Sequence, residues 1–275
     1  MDIDTTDLFS LKNKVIVVTG GTGILGGAFV KGISEAGGKL VIIGRNTEIG
    51  NQRAQEVNAN GGEAIFIACD VLDEEALIAA RDKILEKFGT IDGLVNGAGG
   101  NMPEGVLQNS DDVFSMNIEG MKKAMVLNIW GTIIPTQIFG AVMAKKGSGS
   151  IVNISSVSPK KVITKVLGYS MGKAAVDAYN QWFAVEMANR FGDAIRMNAI
   201  MPGFFLTEQN RTLLTNPDGT YTERGALVVK NTPFKRMGKP EELIGALIYL
   251  LSDASRFVTG TQLSVDGGFT VFSGV

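Results

Sequence analysis

The stretch VIVVTGGTGILGG, residues 15–27, decides the fold. Its first five residues are all β-branched, so the chain is biased to a strand. A strand with no polar alternation is buried on both faces, which is the habit of a parallel sheet. The glycines that follow mark a tight turn, and the apolar residues after them open a helical pattern. Strand, glycine turn and helix in that order form the first half of a βαβ unit.

The same alternation runs along the whole chain. VIVVT (15–19), LVII (40–43), AIFIA (64–68), GLVN (93–96), SIVNIS (150–155), IRMNAIM (195–201) and QLSV (262–265) read as strands. Helical patterns fall near 25–37, 47–59, 73–88, 119–145, 168–191 and 240–252. The expectation is an α/β fold. A single doubly wound, Rossmann-type parallel sheet would carry helices on both faces, with right-handed crossovers. A length of 275 residues suits one domain spanning 1–275, and no internal repeat or charge block divides it. Residues 203–239, rich in Thr, Asn, Gly and Pro, read as one long irregular loop. Loops of that length are commonly functional, and this one is expected to border a substrate.

Composition narrows the function. Lys and Arg total 26 against 28 Asp and Glu, a net charge of −2, which leaves no electrostatic footprint for nucleic acid or an anionic membrane. The chain has one cysteine, Cys69, and no histidine. An intrachain disulfide is therefore impossible, a structural zinc site is not expected, and a cytoplasmic location is the simplest reading. The opening MDIDTTDLFSLKNK is acidic and lacks the apolar core of a signal peptide. Residues 124–144, AMVLNIWGTIIPTQIFGAVMA, carry no charge over 21 positions. Asn128, Thr132, Pro135, Thr136 and Gln137 interrupt them, so they read as a helix buried between the sheet and subunit neighbours rather than a membrane span.

The turn TGGTGILGG (19–27) is the first candidate site. Gly20, Thr22, Gly23, Ile24, Leu25 and Gly26 bring bare backbone and a helix N-terminus to one place, which suits a dinucleotide pyrophosphate. NAD selectivity calls for a carboxylate at the tip of the second strand, where it binds the ribose 2′-hydroxyl. The residues there are Arg45 and Asn46. A guanidinium can pair with a 2′-phosphate, so NADP(H) is favoured over NAD(H), with Arg45 as a solvated surface residue the other reading. Asp70, followed by Val71, closes the third strand and is read either as an acceptor for the adenine amino group or as the N-cap of the next helix.

GYSMGKAAV (168–176) is the second. Tyr169 and Lys173 are spaced i and i+4, one face of a helix. Ser156 ends the SIVNIS strand, and ligands in open α/β sheets bind at the carboxyl ends of strands. A free tyrosine has a pKa of about 10, and an adjacent ammonium is expected to lower it. Tyr169 can then pass a proton to or from a substrate oxygen that Ser156 holds. Asn128 is placed to hold a water that links Lys173 to solvent. The pair thus takes over the acid–base work of the histidine this chain lacks.

These motifs together resemble the short-chain dehydrogenase/reductase family over essentially the whole chain. TGGTGILG resembles its TGxxxGxG, with Ile24 in place of the middle glycine. NGAG (96–99), holding Asn96, Ala98 and Gly99, resembles NNAG with Gly97 in place of the second Asn. RMNAIMPG (196–203) resembles RxNxxxPG and supplies Pro202 and Gly203. VTGTQLSVDGG (258–268) resembles the last-strand signature. The resemblance implies a catalytic tetrad of Asn128, Ser156, Tyr169 and Lys173, nicotinamide contact by Thr207, and a homotetramer.

Two loops speak to substrate. GGNMPEG (99–105) and PGFFLTEQNRTLLTNPDG (202–219) resemble those of short-chain-type D-mannonate oxidoreductases, which implies interconversion of D-fructuronate and D-mannonate. Asn101, Gln209, Asn210 and Arg211, joined by Lys160, Lys161 and Lys165, can serve a polyhydroxy acid, with Arg211 the first choice for its carboxylate. Another carbonyl substrate (a keto-gluconate, a ketose, a 3-oxoacyl thioester) and a non-catalytic nucleotide-binding protein are the competing readings.

Overall fold

A computed structural model describes residues 5–108, 110–207 and 210–274. Seven strands form one parallel sheet: β1 (Val15–Thr19), β2 (Lys39–Gly44), β3 (Ala64–Ala68), β4 (Gly93–Asn96), β5 (Gly149–Ile154), β6 (Ile195–Pro202) and β7 (Gln262–Val265). Their order is β3-β2-β1-β4-β5-β6-β7, and every pairing is parallel. The order reverses between β1 and β4, and that switch point is where open α/β sheets bind ligands.

The helices are α1 (Thr5–Leu8), α2 (Ile24–Glu35), α3 (Thr47–Ala59), α4 (Glu74–Phe88), α5 (Ile118–Lys146), α6 (Leu167–Phe191), α7 (Arg211–Leu214), α8 (Glu223–Asn231) and α9 (Ile244–Leu251). The pleat sends alternate strand residues to opposite faces. Ile16, Val18, Leu40, Ile42 and Val95 join Phe29 and Ile33 of α2 and Leu247 and Leu250 of α9 in one core. Val15, Val17, Val41, Ile43 and Leu94 join Leu77 and Ile84 of α4, Phe139 and Met143 of α5 and Met187 of α6 in the other. Both faces are covered, which is why the strands read as unbroken apolar runs.

Two expectations change here. The stretch read as irregular between 203 and 239 folds into α7 and α8, short helices whose Leu214 and Val228 pack on Met237 in a small core of their own. Asp70 does not cap α4. Asp73 does, accepting from Ala76 N–H at 3.0 Å, while Asp70 accepts from Leu72 N–H at 3.0 Å in a local turn. The N-cap has to lie next to the first helical turn, and α4 begins at Glu74.

Helix α5 has the length and apolarity of a membrane span, with a mean hydropathy of 1.4 over its richest window. In the fold Ile138, Phe139 and Met143 are core residues and α6 lies alongside. Val126 and Trp130 remain exposed, as do Trp182 and Val185 of α6.

Candidate active site

The glycine turn is built by close packing. Gly20 has φ +66°, in the left-handed region, and a Cβ there would lie 2.7 Å from Ala98 N. A Cβ on Gly26 would collide with the Gly20 carbonyl. Ile24, the departure from the family motif, is the first residue of α2, directly after the Gly23 cap. Arg53 of α3 binds the turn from the outside, donating to the carbonyls of Gly21 and of Gly23, the latter at 2.8 Å. Sequence reasoning missed this clamp, because an arginine on an amphipathic helix carries no local signal. Thr19 Oγ1 accepts from Gly97 and Ala98 N–H at 3.2 and 3.3 Å, tying the β1 turn to the NGAG segment. These tight backbone approaches fit a dinucleotide at the switch point.

At the tip of β2, Arg45 is 75% exposed and 3.8 Å from Asp70. Thr22 packs where a Gly44 side chain would stand, 2.6 Å from the Cβ position. Asn46 caps α3, accepting from Ile49 N–H at 3.0 Å. Val71 is buried against Gly131 of α5. Asn96 turns inward, donating to Thr136 and Asn153 at 2.8 and 2.9 Å.

A cavity of about 230 Å³ opens beside the turn and gathers residues from distant parts of the chain. Leu25, Gly99, Asn101, Ser156, Tyr169, Lys173, Pro202, Gly203, Thr207 and Asn210 all line it. Lys173 is buried and donates through Nζ to the Ile154 carbonyl at 2.6 Å. Burial brings its pKa down to about 8, against the opposing pull of the Asp177 carboxylate one turn on. Tyr169 differs from expectation: its pKa is raised, because burial outweighs the Ser156 hydroxyl that lowers it. The lysine ammonium lies 5.8 Å from the Tyr169 ring centroid.

Asn128 is fully buried, and its side chain is occupied. Its amide donates to the Gly100 carbonyl at 2.7 Å and to the Ala124 carbonyl at 2.7 Å, and its oxygen accepts from Gly100 N–H at 3.1 Å. It clamps the loop after β4 directly. Gly99 sits in the gap, where a Cβ would be 2.7 Å from Asn128 Oδ1 and 3.2 Å from Lys173 Nζ. Behind Lys173, Asp177 accepts from the Ser155 hydroxyl.

On the substrate side the structure gathers Asn101, Ser156 and Asn210 at the cavity and leaves other candidates off its lining. Arg211 opens α7, is exposed and lies outside the cavity lining. Lys160, Lys161 and Lys165 also lie off the lining, and Lys161 reaches the Phe272 carbonyl at 3.3 Å. Asn210 is spent on its own loop, accepting from Thr207 N–H and donating to the Phe205 carbonyl, both at 2.8 Å. Gln209 lies outside the described residues. Ser158 and Arg224 line the cavity and were not singled out from sequence. Ser158 stands two residues from Ser156, a spacing that offers a weak clue.

Comparison with known proteins agrees with this geometry. A family model described as enoyl-(acyl carrier protein) reductase matches residues 22–270. The chain is 40% identical to the uncharacterized oxidoreductase UxuB of Bacillus subtilis (strain 168), covering 97% of this chain and 98% of that one. A Haemophilus influenza structure provisionally described as a D-mannonate oxidoreductase, with bound NAD, superposes at a TM-score of 0.90 with 36% identity, covering 99% of this chain and 100% of that one. A gluconate 5-dehydrogenase from Burkholderia cenocepacia J2315, in complex with NADP and tartrate, superposes at 0.87 with 31% identity, covering 98% and 99%. The chain belongs to the short-chain dehydrogenase/reductase family. It is an NAD(P)-dependent oxidoreductase.

Proposed function

We propose that this enzyme interconverts a keto sugar acid and a hydroxy sugar acid, with D-fructuronate and D-mannonate as the pair. The observation that carries the reading is the cavity itself. Ser156, Tyr169 and Lys173 share it with Asn101 and Ser158, and among its described residues no acidic side chain is present. Relatives named for D-mannonate and gluconate support the sugar-acid class.

When bound, the nicotinamide supplies or accepts the hydride. Tyr169 is the acid–base: with its pKa raised, it enters reduction protonated and gives its proton to the substrate oxygen. Ser156 orients that oxygen. Lys173 stabilises the tyrosinate left behind, held in place by the Ile154 carbonyl. Asn128 fixes the loop that carries Gly99 and Gly100 beside them. Gly20, Gly23, Leu25 and Gly26 would hold the pyrophosphate side of the cofactor, and Gly99, Pro202, Gly203 and Thr207 its nicotinamide side. The relatives bind NAD in one case and NADP in another. We favour NADP(H) here on the strength of Arg45, whose exposed side chain is able to leave Asp70 for a 2′-phosphate.

The residues 1–275 act as one oxidoreductase domain, with 203–239 forming the substrate wall. Exposed Trp130 and Trp182 on α5 and α6 support packing against further copies, for which a homotetramer is our assignment, in the cytoplasm. A second reading, reduction of a 3-oxoacyl thioester, draws on Ile163, Val166 and Leu213 in the cavity wall. Product identification separates the two. Incubation with D-fructuronate and reduced cofactor should yield D-mannonate by NMR, whereas unreacted fructuronate beside turnover of an acyl thioester would favour the second.

A further inference from the structure

Arg224 stands second in α8, on the segment that forms one wall of the cavity. Its guanidinium donates to Thr164 Oγ1 at 3.2 Å and to the Thr164 carbonyl at 3.1 Å, next in sequence to the lining residue Ile163. Thr164 lies in the connection between Ser156 and Tyr169. Both acceptors are neutral. No carboxylate pairs with Arg224 among the described residues, although Arg45, Arg81, Arg190, Arg236 and Arg256 all have one.

The position is not explained by helix stability. A cation in the first turn opposes the helix dipole, which favours anions there. Nor do further charges compete inside the cavity: among the described lining residues Lys173 and Arg224 are the cations, and Lys173 is committed to the Ile154 carbonyl. Two polar atoms on lining residues, Ser158 Oγ and Asn101 Oδ1, are buried without a hydrogen-bond partner in the protein. Such groups carry a free-energy cost unless something satisfies them. The cavity lining thus holds a proton donor, two polar atoms without a protein partner and a guanidinium without a carboxylate.

We propose that Arg224 is the residue that binds the substrate carboxylate, exchanging its two contacts with Thr164 for a bidentate pair with the anion. The inference rests on the sugar-acid reading and names the group that makes the site selective for acids. A guanidinium fork matches a carboxylate in a way an ammonium does not. The carboxylate and ketone of D-fructuronate lie well apart on its carbon chain, so a lining cation carried by α8, a different element from the α6 that carries Tyr169, suits a substrate whose carbonyl faces that hydroxyl. Ser158 and Asn101 are positioned for the hydroxyl groups between.

The test is steady-state reduction of D-fructuronate and of a neutral ketose by wild type, Arg224→Met and Arg224→Lys. Arg224→Met should raise KM for fructuronate at least tenfold with kcat within about threefold, and leave KM for the ketose unchanged. Arg224→Lys should recover part of the loss, which guards against a variant that merely misfolds. Equal changes for both substrates, or no change for the acid, would overturn the assignment. A wild type that reduces the neutral ketose as efficiently as the acid would overturn the sugar-acid reading itself, and this assignment with it.

Discussion

Lys173 Nζ donates to the carbonyl of Ile154 at 2.6 Å, tying α6 to the last residue of β5. That bond fixes where the ammonium stands relative to Tyr169, one turn earlier on α6, and to Ser156, two residues beyond the strand. A single contact therefore sets the spacing of three groups that come from two elements.

The Tyr169→Phe variant removes one oxygen from this arrangement. It should keep its affinity for reduced cofactor, measured by fluorescence titration, and lose about 10²–10⁴-fold in kcat, the range general acid–base catalysis contributes, since the remaining Ser156 hydroxyl orients the oxygen without replacing the acid. Turnover within tenfold of wild type would show that the proton comes from elsewhere.

Lys173 also leaves a signature in stability. Its pKa of about 8 in the fold lies below the ordinary 10.5, so between those values the unfolded chain binds more protons than the folded one. Stability contributed by this group therefore rises with pH across that window, by up to about 3 kcal/mol at about 1.4 kcal/mol per pKa unit. Chemical denaturation should show wild type gaining stability relative to Lys173→Met from pH 8 to 10.5. Parallel curves would mean that the ammonium is not desolvated.

Asn128 and Gly99 are expected to be sensitive for a packing reason. Asn128→Ala removes three hydrogen bonds and leaves the Gly100 N–H and carbonyl unpaired, which should cost about 1–3 kcal/mol in unfolding free energy. Gly99→Ala places a methyl 2.7 Å from Asn128 Oδ1, and should lower kcat with a smaller stability loss. Full activity in both would remove this loop from the site.

Arg45 decides the cofactor prediction. Arg45→Ala should raise KM for NADPH about tenfold and leave KM for NADH within twofold. Equal changes for the two cofactors would make Arg45 a solvated residue.

Much of this was legible in the chain because burial writes itself into sequence. Strands covered on both faces are apolar at most positions, so VIVVT and LVII announced a parallel sheet before any register was known. Tyr169 and Lys173 were visible because helical spacing is local. Sequence patterning could not say which arginine of 203–239 reaches the cavity: Arg211 opens α7 off the lining, while Arg224 of α8 is on it. Those helices are four and nine residues long, too short for a clear period. The Asp70 cap failed by three residues, since Asp73 is an equally good cap and stands next to the helix.

The most direct test follows cofactor absorbance while NADH and NADPH are each offered with D-fructuronate, a keto-gluconate and a neutral ketose. The account predicts rapid oxidation with the sugar acids, fastest with fructuronate and NADPH, and slow oxidation with the ketose. Turnover of the ketose with none of either acid would contradict it.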